Sequence, residues 1–425
     1  LTAKMIKTCQ DKGMSAYWVT HRRELVGQVI RAFDMVGIKF DVLANGFFET
    51  RNHKVKICSI GTLRNRVKYL KQPNLAVFDE AHHCPAQSWK TVFAAFPNSF
   101  KLGLTATSER LDGRGLGDFF EVMVKGPSVQ WLIQNGFLAP YKLYAPSTVD
   151  LTGVKKVMGE YSKPQLSSAM DKPSITGDAI KEYKKLAPGK RALVFAASRE
   201  HSKHVVADFN AAGVPAAHVD GETPTEERDR ATERFSRGEI LVLSNVELFG
   251  EGYDLPGIEC VIQLRPTLSL ALYLQQVGRG LRPSEGKKEV VILDHAGNCE
   301  RHGLPDEDRE WSLEGHSDAK KKEAKGLSIR ICPKCFAAQY AGVSACRFCG
   351  AIFKIKAREV AEKEGELSEV DIERLRKEKR REQGRAYTFE ELVEVGKKRG
   401  MKRPHGWAKH VFDARQAKKL QAGRI

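Results

Sequence analysis

A chain of 425 residues is long enough for two or three domains that each bury a core. Its 70 Lys and Arg against 53 Asp and Glu leave a net charge of +17, which favours a polyanionic partner, most simply nucleic acid. No run approaches the ~20 apolar residues of a membrane span and no signal-peptide pattern opens the chain, so no membrane partner is expected. Five scattered cysteines beside four grouped ones fit a reducing, intracellular (cytoplasmic) compartment.

Residues 1–12 have helical spacing, ended by Gly13. Ala16 to Thr20 reads as a strand, after which His21-Arg22-Arg23-Glu24-Leu25 opens a helix through Phe33. Such a turn sets cationic side chains beside helix N-terminal amides, which suits a phosphate backbone. A second turn of this kind, Gly61-Thr62-Leu63-Arg64, follows the strand-like run Val55 to Ile60. The apolar run Leu75 to Phe78 reads as a buried parallel strand that ends in Asp79 and Glu80. Ligands of open α/β sheets bind outside the carboxyl ends of strands. One carboxylate there can hold Mg²⁺, and a second can orient or deprotonate a water. The plainer alternative, that Asp79-Glu80 caps the next helix, stays open at this point. Leu102 to Thr107 is another short strand, ending in hydroxyls. Strands alternating with helices at this spacing predict a doubly wound parallel sheet.

Residues 126–189 read as a bridge, with a helix from Val129 and linker marks at Pro140, Pro146, Gly153 and Gly159. A second α/β pattern has four expected strands, Ala192 to Ala196, Ala216 to Val219, Ile240 to Ser244 and Cys260 to Leu264. Phe249 to Pro256 is a Gly-bracketed loop, where Gly252 lets backbone approach a ligand closely. Gln275-Gln276-Val277-Gly278-Arg279-Gly280-Leu281-Arg282 puts two arginines three apart on one helix face. Arginine suits a transferring phosphoryl group because its charge is permanent and its donor fork planar.

Cys332, Cys335, Cys346 and Cys349 form C-x₂-C-x₁₀-C-x₂-C, the spacing of a closed tetrahedral Zn²⁺ site. Each knuckle carries a base beside a ring, Lys334 with Phe336 and Arg347 with Phe348, which suits nucleic acid, although zinc ribbons also bind accessory proteins. Beyond a charged stretch, Phe389 to Val395 and a segment from Trp407 read as helices around a basic turn, with Leu392, Trp407 and Phe412 as a small core.

His21 to Leu25, Asp79-Glu80-Ala81-His82 and Gly103 to Thr107, in that order, resemble motifs Ia, II and III of superfamily 2 helicases of the DEAD/DEAH-box kind. Ser108 stands where Pro is usual. Leu193 to Ala196, Phe249 to Pro256 and Gln275 to Arg282 resemble motifs IV, V and VI. The resemblance implies an α/β fold class: two RecA-like P-loop NTPase domains, parallel sheets flanked by helices, then a zinc ribbon and a helical tail. The expected divisions are 1–125, 126–189 (bridge), 190–300, 301–328 (linker), 329–352 (ribbon), 353–385 (connector) and 386–425 (tail). ATP would lie between the two RecA-like domains, with Mg²⁺ on Asp79, water activated by Glu80, and Arg279 and Arg282 as arginine fingers. Asp254, Gly252, Gln275 and Gly278 would border the nucleotide cleft. Thr105 and Thr107, linked through His82, would couple hydrolysis to a strand held by Arg22, Arg23 and Thr62.

The implied activity is that of an ATP-dependent helicase or translocase, with DNA favoured over RNA. A non-hydrolysing nucleic-acid-binding protein and the motor subunit of a restriction or repair complex are the alternatives. The family's Gly-Lys-Thr/Ser phosphate loop is not in the sequence. The expectation is truncation just before Leu1, with poor ATP binding and hydrolysis by the chain as written.

Overall fold

A computed structural model describes residues 1–47, 52–107, 115–145, 150–157, 159–249, 255, 257–309, 311–314, 329–353, 381–401 and 403–422. The chain divides into two compact units, Leu1–Ile355 and Lys356–Ile425.

The first unit is built on two parallel sheets. One is ordered β2-β3-β1-β4-β5, from β1 (Ala16–Thr20), β2 (Asp41–Leu43), β3 (Val55–Ser59), β4 (Leu75–Asp79) and β5 (Phe100–Leu104). Side chains alternate between two cores, as a strand buried on both faces requires. Tyr17, Val19, Ala76 and Phe78 enter one core, and Ala16, Leu75 and Val77 the other.

The second sheet has six strands in the order β10-β11-β9-β12-β13-β6. They are β6 (Tyr141–Tyr144), β9 (Ala192–Ala196), β10 (Ala216–Val219), β11 (Val242–Asn245), β12 (Cys260–Leu264) and β13 (Val290–Asp294). The same alternation holds, with Leu193, Phe195 and Val261 on one face and Ala192, Val194 and Ile262 on the other. Two of these strands are additional to the four expected. β13 pairs in parallel with both β12 and β6, and β6 comes from the stretch read as a bridge. Between β6 and β9 lies a short hairpin of β7 (Lys156–Val157) and β8 (Glu160–Tyr161).

The four-cysteine region is a small antiparallel pair, β14 (Ile329–Ile331) and β15 (Ala338–Tyr340). It sits on the β6 edge of the second sheet. Tyr144 and Ala337 form an antiparallel bridge, and the Ala145 amide donates to the Phe336 carbonyl at 2.9 Å. Ala337 and Ala338 are buried in the two cores of that sheet. The preceding segment also packs: Leu304 enters the second sheet's core, while Leu313 lies against the first sheet's, its carbonyl accepting from Gly117 N–H at 2.8 Å.

The second unit contains the helices Phe389–Lys398 and Pro404–Ala422. A reciprocal Thr388–Glu391 capping box starts the former, as Thr-x-x-Glu predicts. Leu392, Val393 and Ala408 form its core with Trp407 and Phe412 packed around them. No helix among the described residues is long and apolar enough to cross a membrane.

Candidate functional site

Each sheet reverses its winding at one point, between β1 and β4 in the first and between β9 and β12 in the second. Crevices open beyond the strand ends at such points. In the first sheet this sets Thr20, His21 and Arg22 next to Asp79 and Glu80, since Val19 is paired with Phe78.

Glu80 adopts φ 54° and ψ 54°, the left-handed region, at a cost of about 1–2 kcal/mol for a side chain other than glycine. It makes no side-chain capping bond to the turn Ala81–His83 that follows, so capping does not account for it. Its amide donates to Asp79 Oδ1 at 3.1 Å. Burial pushes the Asp79 carboxyl above its usual range, opposed by the Trp18 indole, the Glu80 amide and the imidazoles of His21 and His82. A half-dry carboxylate of this kind suits a hard cation, which would remove the penalty on its charge. Two neighbouring hydroxyls, Thr20 Oγ1 and Thr107 Oγ1, are buried without a protein partner, which also fits a polar ligand here.

His82 Nδ1 lies 3.2 Å from Thr105 Oγ1 and 3.4 Å from Glu80 Oε2. Thr105 in turn donates to the Thr107 carbonyl at 2.7 Å and accepts from the Thr107 amide at 3.2 Å. Gly103 makes this meeting possible. A Cβ there would lie 2.6 Å from the Phe120 ring and 2.9 Å from Ala81 Cβ, forcing the 81–83 turn away from β5.

The second sheet's strand ends border two cavities, and Arg22 of the first half lines both. The smaller, about 190 Å³, also meets Asn245, Glu247, Arg265 and Gln276; the larger, about 550 Å³, meets Lys163, Ser198 and Arg199. Arg22 Nη1 donates to the Leu248 carbonyl at 3.2 Å, so the two halves touch through a residue expected on a phosphate backbone. Glu247, itself at φ 55°, accepts from Lys163 at 2.9 Å and Arg265 at 3.0 Å. Burial works to raise its pKa, but these two cations hold it below the usual range.

The helix Leu270–Leu281 carries the paired arginines. It approaches the sheet closely at Gly280, where a Cβ would lie 2.7 Å from Val261 Cγ2 and 2.8 Å from Val290 Cγ2. Arg279 is buried and Arg282 half-buried at its end, where Lys287 Nζ donates to the carbonyls of Gly280 and Arg282. Gln275 and Gly278 are half-buried on this helix, but Gln276 is the residue that opens on the smaller cavity. Glu160 on β8 braces the approach, accepting from Thr267 Oγ1 at 2.5 Å and the Leu268 amide at 2.9 Å.

Thr62 sits at a helix start, accepting from Ser59 Oγ at 3.0 Å. Gly252, Asp254 and the Arg23 side chain lie outside the described residues. Glu247, Lys163, Arg265 and Glu160 carried no motif signal; their sequence positions alone did not mark them. The sulfurs of Cys332, Cys335, Cys346 and Cys349 all lie within 4.8 Å of one another, a group able to hold a metal ion.

Two RecA-like parallel sheets, with paired carboxylates at one switch point and an arginine-bearing helix beside the other, define the class of this protein. Residues 1–110 match the family model described as "Type III restriction enzyme, res subunit", and residues 172–284 match "Helicase conserved C-terminal domain". The chain is 34% identical over 376 residues to a 51.5 kDa protein of a Lactococcus phage, covering 88% of this chain and 80% of that one. It is 29% identical over 222 residues to the DNA 3'-5' helicase XPB of Mycobacterium tuberculosis, covering 49% of this chain and 38% of that one. In fold it is similar to the ATP-dependent Type ISP restriction-modification enzyme LlaBIII bound to DNA, with a TM-score of 0.52 at 14% identity, covering 68% of this chain and 25% of that one. The chain belongs to the superfamily 2 helicases.

Proposed function

We propose that the protein is an ATP-dependent translocase or helicase of the DEAD/DEAH-box kind acting on nucleic acid, DNA before RNA. The carrying observation is the His82–Thr105–Thr107 chain, which ties the carboxylate pair at the end of β4 to the end of the adjacent β5. Such a chain lets a change at the carboxylates move a second strand end. In this reading Asp79 holds Mg²⁺ and Glu80 orients and deprotonates the attacking water. Arg279 and Arg282 neutralise the transferring phosphoryl group. Gln275, Gly278, Gly252 and Asp254 border the nucleotide; Arg22, Arg23 and Thr62 hold strand phosphates. ATP with Mg²⁺, when bound, would supply the electrophilic phosphorus; the residues would position it, take the proton of one water and neutralise developing charge. The preference for DNA is supported by the name of the mycobacterial relative.

The divisions proposed at 1–125, 190–300, 329–352 and 386–425 follow the motif blocks, with β6 assigned to the second sheet. For the thiolate group the metal we propose is Zn²⁺. Bonds of about 2.3 Å to four sulfurs in a tetrahedron set the sulfurs about 3.8 Å apart. Cys332 to Cys349 and Cys335 to Cys346 both stand at 3.6 Å. Metal analysis finding none, with four free thiols, removes the zinc assignment.

The test of the motor is ATP hydrolysis with and without single-stranded DNA or RNA, on protein that includes any coding sequence preceding Leu1. Stimulated turnover, abolished by Glu80→Gln with ATP binding kept, supports the reading. An unchanged rate in Glu80→Gln overturns the role of Glu80. Strand binding without any hydrolysis by that longer protein moves it to the second reading, a non-hydrolysing binder.

A further inference from the structure

We propose that the C-terminal helical hairpin is a separate nucleic-acid contact, which grips the phosphate backbone through its turn end without nucleotide. Its charges are segregated. Residues 388–394 hold three acids and no Lys or Arg, whereas residues 395–419 hold nine Lys or Arg and a single acid, Asp413.

The fold gathers part of this charge, from Lys397 to Lys409, at one end, whereas Arg415 is taken up beside Ala386, donating to the carbonyls of Gln383 and Ala386. The two helices close on each other at Gly396, where a Cβ would lie 3.0 Å from Pro404 Cβ and 3.3 Å from the Trp407 ring. That crossing brings the end of the helix Phe389–Lys398 beside the start of Pro404–Ala422. Of the cations gathered there, Arg399 is structural: its guanidinium bonds Glu382 at 3.0 Å and lies 5.5 Å from the Trp407 ring centroid. Lys397 pairs with Glu394 at 2.7 Å. Lys398, Arg403 and Lys409 are exposed, with His405 between them.

The acids near this end, Glu394 and Glu382, are taken up by Lys397 and Arg399, while Glu390 and Glu391 complement the helix start at the opposite end. The positive end of the second helix adds to the repulsion instead of screening it. A surface that gathers cations at this expense to folding fits a polyanion. Nucleic acid is the occupant we commit to, because its closely spaced phosphates release counterions to a cluster of this kind. It is also the polymer proposed for the first unit, and two contacts on one chain raise avidity.

The experiment measures affinity of the full chain for a fluorescent duplex by anisotropy, without nucleotide, between 50 and 200 mM salt. The variant Lys398→Gln/Arg403→Gln/Lys409→Gln is compared with Lys90→Gln/Lys181→Gln/Lys203→Gln, which removes the same charge from exposed sites elsewhere. Loss of three phosphate contacts makes the log–log salt slope shallower by about 2.7, so affinity falls about fortyfold less across that range than in the parent. The control triple keeps the parent slope, and both variants keep the parent melting temperature. Equal slopes in the two triples overturn the proposal, as does a hairpin triple that loses anionic-vesicle binding alone. A protein with the expected slopes but no ATP hydrolysis leaves this contact standing and removes only the motor.

Discussion

His82 Nδ1 stands 3.2 Å from Thr105 Oγ1, and the hydroxyl's one proton is given to the Thr107 carbonyl at 2.7 Å. Thr105 can therefore only accept from His82, which fixes the imidazole with its proton on Nδ1. The same Nδ1 lies 3.4 Å from Glu80 Oε2, so His82 stands between the carboxylate pair and the end of β5. Thr105→Val keeps the side-chain shape and deletes the acceptor. It is expected to leave unstimulated ATP hydrolysis within about threefold of the parent while abolishing the stimulation by single strands. Steady-state rates with and without a strand check this; stimulation retained in Thr105→Val removes the coupling role.

Glu80 pairs a strained backbone with the carboxylate proposed to activate water. Replacing it by glycine relieves the left-handed conformation, so Glu80→Gly should raise unfolding stability by about 1 kcal/mol while turnover is lost. Glu80→Gln keeps the strain and loses turnover alone. Denaturant titrations of the two variants beside the parent separate these effects. A Glu80→Gly protein less stable than Glu80→Gln would mean that side-chain packing outweighs the backbone strain.

Metal loss should be felt in the second sheet and not only in the ribbon. β6 is an edge strand covered by the Tyr144–Ala337 bridge. Asp306 Oδ1 ties the same corner together, accepting from Tyr340 at 3.0 Å and from Tyr141. A ribbon that lets go without its metal strips this cover and exposes an unpaired edge. Chelation, or Cys332→Ser with Cys349→Ser, is expected to cost roughly 4 kcal/mol of stability and to speed amide exchange at residues 141–145. Unchanged exchange in β6 of metal-free protein sinks this view, and a purely local loosening of residues 329–353 would leave the ribbon as an appendage.

The central strands were legible because a strand buried on both faces must be an almost unbroken apolar run, as Ala192–Ala196 and Leu75–Phe78 are. β6 was not, because Tyr-Lys-Leu-Tyr between two prolines carries a mixed pattern at a sheet edge. Its strand partner, β13, lies about 150 residues downstream, as the Val290–Tyr141 pairing shows. The paired carboxylates Asp79 and Glu80 were readable from their place at a strand end. Their setting was not: the left-handed Glu80, the bracing by Glu160 and the reach of Arg22 to Leu248 all depend on contacts between distant segments. Likewise the cysteine spacing gave the four-thiol group able to hold a metal, but Ala337 and Ala338, small residues without a motif, are what dock it.

Acid should weaken the second sheet through two buried histidines. Burial pulls His201 down to about 4 against the charge of Asp171, and pulls His295 down to about 4 against Asp294 and Asp178. His201 accepts from the Ala197 amide through Nδ1, so its Nε2 carries the proton and is buried without a partner. Both folded values lie below the ordinary 6.5, so the native state favours the neutral rings. Their contribution is complete above about pH 6.5 and is lost as pH falls toward 4, at up to about 3 kcal/mol for each histidine. Thermal melts between pH 7.5 and 4 should show a steep acid limb that His201→Gln and His295→Gln each make shallower. Parallel acid limbs in parent and variants would mean that both rings are already solvated in the folded protein.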